Sequence, residues 1–276
     1  MGIGKLTRYG LPFANVVNNG QATNMVVPGK TLENMRLKLG GTSLLKSMIE
    51  RLKIKANGKV IIEGSGTQID KVNAYRGEAT NAAFLDIQFA DYTMLGEVDR
   101  MIGAFDTGLG ISTITSEVKI VGATAPTLDP ILIESANQKQ RDGSSAGFAP
   151  FISKLLAYPY SVATGGKLPL TVPFGPQNGA VIKRLHVFHT GNLKGVTVKL
   201  DSLPVHESIK VENEFDQVKA GRVPQANCYT VDFVLDGNVS KALDTRDAKS
   251  LEWLLDFSGA DSGEVLVEYL DPLGNL

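Results

Sequence analysis

A β-hairpin followed by a short helix occurs twice in this sequence, and no other feature constrains the fold as much. The first copy runs from Ile49 to Gly77. Its Asn57-Gly58 pair lies between two short apolar runs, and such a pair favours the two positive φ angles of a type I′ turn. Ile69, Val72 and Tyr75 then recur at helical spacing, and Gly77 predicts the end of that helix.

The second copy begins 144 residues later and runs from Leu193 to Gly221. Alternating apolar residues predict its first strand, a turn is expected at Asp201-Ser202, and a helical stripe precedes the closing glycine. That stripe consists of Val211, Phe215 and Val218. A strand around Asp86 has a similar counterpart around Asp232, with an offset of 146. The two offsets together predict an internal duplication.

Short strands outnumber helices along the whole chain, as is typical of an all-β fold. We predict two tandem antiparallel jelly-roll sandwiches, a double jelly roll, with short helices in loops. The predicted parts are residues 1–20 as an N-terminal arm, residues 21–126 as the first sandwich, residues 127–165 as a connector, and residues 166–276 as the second sandwich. Within the connector, Phe151, Leu155 and Tyr158 lie at helical spacing and predict a short helix.

Composition limits the possible roles of the chain. The 276 residues include 28 basic and 29 acidic side chains, so the net charge of -1 gives no reason to expect a protein that coats nucleic acid. Cys228 is the one cysteine, which excludes an internal disulfide. Apolar runs are far shorter than the roughly 20 residues that a membrane helix needs. We therefore expect a soluble chain that is used without secretion.

A tripeptide and three histidines are the candidates for a catalytic or metal site in this sequence. Asp106-Thr107-Gly108 resembles half of an aspartic protease dyad, but no second copy stands opposite it, and a loop is the expected reading. His186 and His189 have an odd spacing that sends them to opposite faces of a strand, and His206 stands alone in sequence. A zinc site needs three or four converging ligands, so no metal is expected.

Acidic turns at Asp236-Gly237-Asn238 and at 256–261 lack the spacing of a calcium-binding loop. We expect solvated turns at both places, although calcium binding stays an open alternative. Trp253 lies among leucines and is expected in the core. The sequence therefore predicts neither an enzyme nor a bound cofactor.

Several segments resemble a known family of viral proteins. The segments in question are Val181–Val187, Tyr229–Val239, Glu264–Tyr269, the hairpin after Ile49–Ile54, and Ala149–Pro169. They are similar to the double jelly-roll major capsid proteins of tailless icosahedral bacteriophages with an internal membrane, of the corticovirus PM2 type. The resemblance implies homotrimers whose six sandwiches form a pseudo-hexagonal tile of the virion shell.

The same resemblance implies other properties of the chain. It would be made in the host cytoplasm and would contact copies of itself, penton or membrane-associated capsid proteins and the viral membrane surface, with no direct nucleic-acid binding. Lys5 and Arg8 lie in an arm without acidic residues, and we expect them at the inner face of the shell, in contact with an anionic membrane. A disordered arm, or one that latches onto a neighbouring subunit, is the alternative.

A β-sandwich that binds a carbohydrate or a receptor as a viral spike is the second functional hypothesis, since such proteins also combine alternating strands with variable loops. A lectin normally exposes aromatic rings beside Asp and Asn loops. The sequence contains no such cluster, so the capsid role is the preferred prediction.

Overall fold

The computed structural model describes residues 5–108, 110–136, 151–177 and 179–276. Within these residues the chain forms two halves with nine strands each. The first half contains β1 (Leu6–Tyr9), β2 (Gln21–Val26), β3 (Thr31–Ser43), β4 (Ile49–Ala56), β5 (Lys59–Gly64), α1 (Gly66–Tyr75), β6 (Phe84–Gln88), α2 (Glu97–Met101), β7 (Phe105–Asp106), β8 (Ile114–Ile120) and β9 (Thr124–Ser135).

The second half repeats this succession of elements, with a 3-10 turn at Val239–Lys241 in the place of α2. It contains β10 (Phe151–Val162), β11 (Gly166–Leu170), β12 (Val181–Phe188), β13 (Leu193–Leu200), β14 (Leu203–Ile209), α3 (Lys210–Lys219), β15 (Cys228–Asp232), β16 (Leu243–Asp244), β17 (Leu251–Phe257) and β18 (Asp261–Pro272). Short 3-10 turns occur at Lys46–Met48, Val239–Lys241 and Leu273–Asn275.

Strand order within the sheets is the same in the two halves. The first half has the order β1-β9-β3-β6, with β7 beside β3, and the order β2-β8-β4-β5. The second half has β10-β18-β12-β15, with β16 beside β12, and β11-β17-β13-β14. Apart from one parallel contact between β5 and β10, the described pairs are antiparallel. Two antiparallel jelly rolls in tandem are thus confirmed.

The two predicted hairpins share even their irregularities. Strand β4 pairs with β5, and β13 pairs with β14, in registers that differ by 144 residues at every position, and each pair has a bulge at the same place. The turn residues Asn57 and Gly58 have φ angles of 48° and 83°, and Asp201 and Ser202 have 48° and 69°. Both turns therefore have the two positive φ angles that a type I′ hairpin requires.

The equivalence between Asp86 and Asp232 is wrong by two residues. The backbone N–H of Phe89 donates to the carbonyl of Glu33, and the N–H of Phe233 donates to that of Lys183, each over 3.0 Å. These bonds place Phe233 144 residues after Phe89, so the position of Asp86 corresponds to residue 230. Side chains alternate across a strand with period two, so a shift of two residues keeps the apolar pattern and cannot be recognised from it.

The chain has two apolar cores, one in each half, and the first also includes Ile152, Leu155, Leu266 and Leu273 of the second half. Ile69, Val72 and Tyr75 of α1 are buried, as their spacing predicts, and Trp253 is fully buried in the second core. The helices α1 and α3 both end before a glycine with positive φ, Gly77 at 81° and Gly221 at 78°. Among the described residues no helix has both the length and the apolar character needed to span a bilayer.

The helix predicted from Phe151, Leu155 and Tyr158 is wrong, because these residues lie in strand β10. All twelve residues of β10 pair with β18, from Phe151 opposite Pro272 to Val162 opposite Asp261. Their spacing of four and three residues occurs by chance in this strand, and the pairing with β18 decides the conformation. The polar stretch 137–145 of the predicted connector lies outside the described residues, and β9 continues past the predicted boundary at residue 126.

The N-terminal residues 5–9 belong to a sheet of the first half and do not form a separate arm. Leu6–Tyr9 form strand β1, which pairs with β9 from Leu6 opposite Glu134 to Tyr9 opposite Ile131. Four residues are too few to show a clear alternation, so the sequence gives no sign of this strand. Residues 1–4 of the predicted arm lie outside the described part of the chain.

Candidate assembly interface

The two halves meet where their sheets join. Leu155 of β10 lies opposite Ile62 of β5, and the two strands run parallel. Strand β5 is covered as a result, and both Ile61 and Ile62 are buried. One sheet of each half thus merges into a continuous sheet across the junction.

Helix α1 of the first half reaches across this junction onto the second half. The Tyr75 hydroxyl donates a hydrogen bond of 3.0 Å to Oδ2 of Asp232. The backbone N–H of Val223 donates to the carbonyl of Tyr75 over 3.0 Å. Lys71 Nζ donates to the carbonyl of Ala226 over 2.7 Å. The C-terminal half of α1 is therefore fixed to the segment that follows α3.

A buried group of charged side chains lies beneath α1, and we refer to it as the junction cluster. Its members are Arg76, Asp91, Lys183, Arg184, Asp232 and Glu268. Arg184 is fully buried at its centre. Arg184 Nη1 lies 2.7 Å from Asp91 Oδ2 and 3.0 Å from Glu268 Oε2. Its Nε lies 3.0 Å from Asp232 Oδ2.

The cations of the junction cluster control the ionisation of its carboxyl groups. Burial by itself raises the pKa of Asp91, but Arg184, Lys183 and Arg76 together hold that pKa well below its usual value. Burial likewise raises the pKa of Glu268, and Arg76 and Arg184 outweigh it, so that this pKa is also well below normal. Both carboxylates are charged at neutral pH. Asp91 pairs with Lys183 and Arg184 of the other half, and Glu268 gains Arg76 from the other half in addition to Arg184 of its own.

Two histidines of the second half, His186 and His206, make side-chain polar contacts, whereas the ring nitrogens of His189 have no hydrogen-bond partner among the described residues. His186 Nδ1 lies 2.9 Å from the Thr230 hydroxyl, and its Nε2 lies 3.0 Å from Glu268 Oε1. His189 follows β12, and His206 lies in β14, where burial lowers the pKa of both imidazoles. Within the described ranges, no three His, Cys, Asp or Glu side chains are grouped to hold a metal ion.

The Asp-Thr-Gly motif forms part of a turn. Asp106 Oδ1 accepts the backbone N–H of Gly108 over 3.0 Å. The Thr107 hydroxyl donates to the carbonyl of Lys30 over 2.6 Å. These side chains fix the loop beside β3, which agrees with the interpretation of the motif as part of a loop.

Acidic turns also use their carboxylates locally. Asp236 Oδ1 accepts the N–H of Asn238 over 3.1 Å. Asp261 accepts the backbone N–H groups of Thr190 and Asn192 over 3.0 and 3.1 Å. These carboxylates therefore fix the backbone of their turns, and calcium binding there stays an open alternative.

Lys5 and Arg8 both have acidic partners in the first half. Arg8 donates two hydrogen bonds to Glu134, from Nε over 2.7 Å and from Nη2 over 2.9 Å. Lys5 Nζ lies 3.4 Å from Glu33 Oε2 and donates to the Tyr92 hydroxyl over 3.0 Å. Their predicted contact with the membrane stays a prediction.

The junction cluster was not found by sequence reasoning. Its signal is the pair Lys183-Arg184 inside β12, an otherwise mainly apolar strand, because charged residues in such a strand need buried partners. The sequence contains no indication that Asp91, in a loop of the other half, is that partner.

The sequence was compared with family models, and two of them match the chain. A model described as the viral coat protein P2 N-terminal domain matches residues 7–138. A model described as the viral coat protein P2 C-terminal domain matches residues 152–273. The two matches cover nearly the whole chain, and the break between them falls between β9 and β10. Comparison with curated protein sequences gives no match.

Similar solved structures come from several viruses. The major capsid protein P2 from bacteriophage PM2 is 18% identical over 97% of each chain, with a TM-score of 0.83. The structure of Sulfolobus Turreted Icosahedral Virus contains a chain that is 12% identical over 97% of this chain and 90% of its own, with a TM-score of 0.71. A PBCV-1 virus capsid chain is 10% identical over 96% and 93%, with a TM-score of 0.64. All three share the fold.

Proposed function

The chain belongs to the viral coat protein P2 family, and from this membership we propose that it is the major capsid protein of a PM2-like icosahedral virus, built into the shell as homotrimers. The family is one of structural coat proteins. The role of the chain is therefore structural and not enzymatic, and its place is the capsid of the virion.

The repeated strand order is the observation that supports a trimer. Each chain supplies two sandwiches of one topology. Three chains around a three-fold axis then supply six similar sandwiches, and a closed ring of them has a nearly hexagonal outline. A tile of this outline fits a hexagonal lattice, which is the arrangement that we propose for the shell.

The junction cluster supports the same role. The first half contributes Arg76 and Asp91, and their ion-pair partners Glu268 and Arg184 belong to the second half, so these two charges are paired only when the halves are docked. A buried pair that loses one partner is destabilised by roughly 3–5 kcal/mol. Two sandwiches held in this way act as one rigid building block, as a ring of fixed geometry requires.

Membrane contact at the inner face of the shell is part of the proposal, as are contacts with penton and membrane-associated capsid proteins. Lys5 is the more available of the two basic residues, since 52% of its side chain is exposed. A basic residue near an anionic surface contributes about 1 kcal/mol of attraction. Lys5→Gln should weaken binding of the assembled protein to anionic vesicles at low salt, and unchanged binding contradicts the membrane role. Arg8 is unsuitable for this test because the buried Glu134 depends on it.

Size-exclusion chromatography with light scattering tests the homotrimer. The expected mass is about 88 kDa, three times the chain mass of 29.5 kDa. A stable monomer at micromolar concentration contradicts the proposal, because the interfaces of obligate rings are large and apolar.

A further inference from the structure

Helix α3 directs its apolar side chains to solvent. Val211, Phe215 and Val218 are 73%, 68% and 60% exposed, whereas Asn213 and Gln217 are buried. The two buried amides donate hydrogen bonds to a carbonyl oxygen of β15, which fixes the polar side of the helix against the sheet. A contiguous apolar face of this kind marks an interaction surface.

The corresponding side of α1 is covered within the chain. With the offset of 144, Lys71 and Tyr75 of α1 correspond to Phe215 and Lys219 of α3. Both α1 residues contact the segment 222–226 of the second half, Lys71 through Nζ and Tyr75 through its carbonyl oxygen. The second half thus contacts α1 at two positions whose counterparts on α3, Phe215 and Lys219, stay exposed.

The strands beside these two helices also differ in whether a neighbouring strand covers them. Strand β5 is covered by β10, whereas its counterpart β14 is the last strand of its sheet in the described part of the chain. The counterpart of β10 is β1, which is also the last strand of its sheet. Ile62, which lies opposite Leu155, corresponds to His206 in the hairpin registers. Leu155 corresponds to Thr7, because each pairs with the residue that lies opposite Asn34 or its counterpart Arg184. Within the described residues, both edges lack the partner strand that their counterparts have.

The first half has a segment that corresponds to 222–226, and most of this counterpart is exposed. Residues 78–82 correspond to 222–226, and residues 78–81 line a surface cavity of about 200 Å³. Asp70, Asp86 and Arg36 also line this cavity. Together with Glu78 they give it three carboxylates and one guanidinium. Glu78 Oε1 is buried and has no hydrogen-bond partner among the described residues.

We propose that the contact between neighbouring subunits repeats the contact between the two halves of one chain. Helix α3 of one subunit lies on residues 78–82 of the next, with Lys219 directed at Glu78 and Phe215 against the alanines of that segment. Strand β14 lies parallel to β1 of the next subunit, with His206 beside Thr7. The inference rests on the proposed homotrimer and identifies the surfaces that close it.

Charge and polarity fit this contact. Asp70 and Asp86 of the cavity are paired with Lys46 and Arg36, whereas Glu78 Oε1 has no hydrogen-bond partner among the described residues. Lys219 is an exposed cation at the C-terminal end of α3. Burial raises the pKa of Glu78, with Asp86 and Asp91 adding to the effect, and Arg76 only partly opposes it. An ammonium group beside Glu78 lowers that pKa again and supplies the missing hydrogen bond. The apolar face of α3 becomes buried at the same time.

Charge reversal on each side of the contact tests the inference. We expect Lys219→Glu and Glu78→Lys each to weaken trimer association by about tenfold or more, as measured by concentration-dependent light scattering. The double variant Glu78→Lys with Lys219→Glu should recover most of the lost affinity. Lys167→Glu is the matched control, because Lys167 lies on β11 at the opposite end of the same sheet from β14.

Circular dichroism of each variant shows whether its monomer is folded. Lys219→Glu lies at an exposed helix end and should leave the fold intact, so it keeps the test valid if Glu78→Lys misfolds. Two results would overturn this contact alone, provided that the wild type is a trimer. The first is that the single variants associate as tightly as the wild type, and the second is that the double variant associates no more tightly than the single variants. A wild-type protein that is not a trimer overturns the proposed function itself.

Discussion

Asn73 and Gln217 make the same hydrogen bond at corresponding places in the two sandwiches. Asn73 Nδ2 donates to the carbonyl of Asp86 over 2.8 Å, and Gln217 Nε2 donates to the carbonyl of Thr230 over 2.6 Å. The two donors are 144 residues apart, and so are the two acceptors. A helix thus docks on the same strand with the same amide contact in both halves, although the helices bury different side chains around it.

Removing the amide should affect the two halves unequally. Asn73→Ala removes a hydrogen bond from a buried helix contact and should lower the free energy of unfolding by about 1–2 kcal/mol. Gln217→Ala should have a smaller effect, because Asn213 donates to the same Thr230 carbonyl over 2.7 Å. Urea unfolding of both variants measures the difference. Equal losses contradict this account, and the double variant Asn213→Ala with Gln217→Ala should approach the loss of Asn73→Ala.

Arg184 at the centre of the junction cluster should be far more important for stability than a similar arginine at the surface. Arg184→Met leaves Asp91, Asp232 and Glu268 buried with too few cations and should lower the free energy of unfolding by roughly 3–5 kcal/mol. Arg36→Met is the matched control. Its ion pair with Asp86 is partly exposed and should contribute about 0–1 kcal/mol. Denaturant unfolding that finds the two losses similar contradicts the assigned role of the cluster.

Acid should weaken the docking of the two halves. The pKa values of Asp91 and Glu268 lie well below their ordinary values of 3.8 and 4.5 in the folded chain. The unfolded chain therefore takes up protons first as the pH falls below about 5, and the free energy of unfolding decreases. The contribution is fully present above the ordinary values and is lost as the pH approaches the depressed ones.

Urea unfolding between pH 7 and pH 3 measures this dependence. Asp91→Asn removes one of the two groups, so its stability should be lower at pH 7 and should fall less steeply with acid. An equally steep decrease in this variant would show that other carboxyl groups cause the acid sensitivity.

The second hairpin turn offers a stabilising substitution. Ser202 has a φ angle of 69°, where a residue other than glycine is strained, and the corresponding residue of the first hairpin is Gly58. Ser202→Gly should raise the free energy of unfolding by about 0.5–1 kcal/mol, because the relief of left-handed strain exceeds the entropy cost of glycine. Gly58→Ser should lower it by a similar amount, and thermal unfolding measures both changes. A destabilising Ser202→Gly contradicts the strain assigned to this turn.

The fold class and the duplication could be predicted because their signals are local. The turn pair Asn57-Gly58, the apolar spacing of α1 and the glycine after each helix specify their structures through nearby residues. Strand β10 was misread as a helix because its conformation depends on β18, which lies about a hundred residues away. Strand β1 was missed for the same reason, since β9 supplies its hydrogen bonds.

The candidate interface was harder to predict than the fold. The apolar stripe of α3 was recognised from its spacing, but spacing cannot tell whether a stripe faces a core or solvent. In α3 the amides of Asn213 and Gln217 occupy the side that faces the sheet, so the apolar side is turned outwards. The partners of Arg184 come from both halves of the chain, and only the tertiary structure brings them together.

Electron cryo-microscopy of the purified oligomer tests the central claim most directly. The account predicts three-fold particles in which six sandwich densities form a closed ring, with α3 of each chain lying on residues 78–82 of the next. A ring with another number of chains, or a particle whose second sandwiches do not contact the first sandwiches of their neighbours, would contradict it.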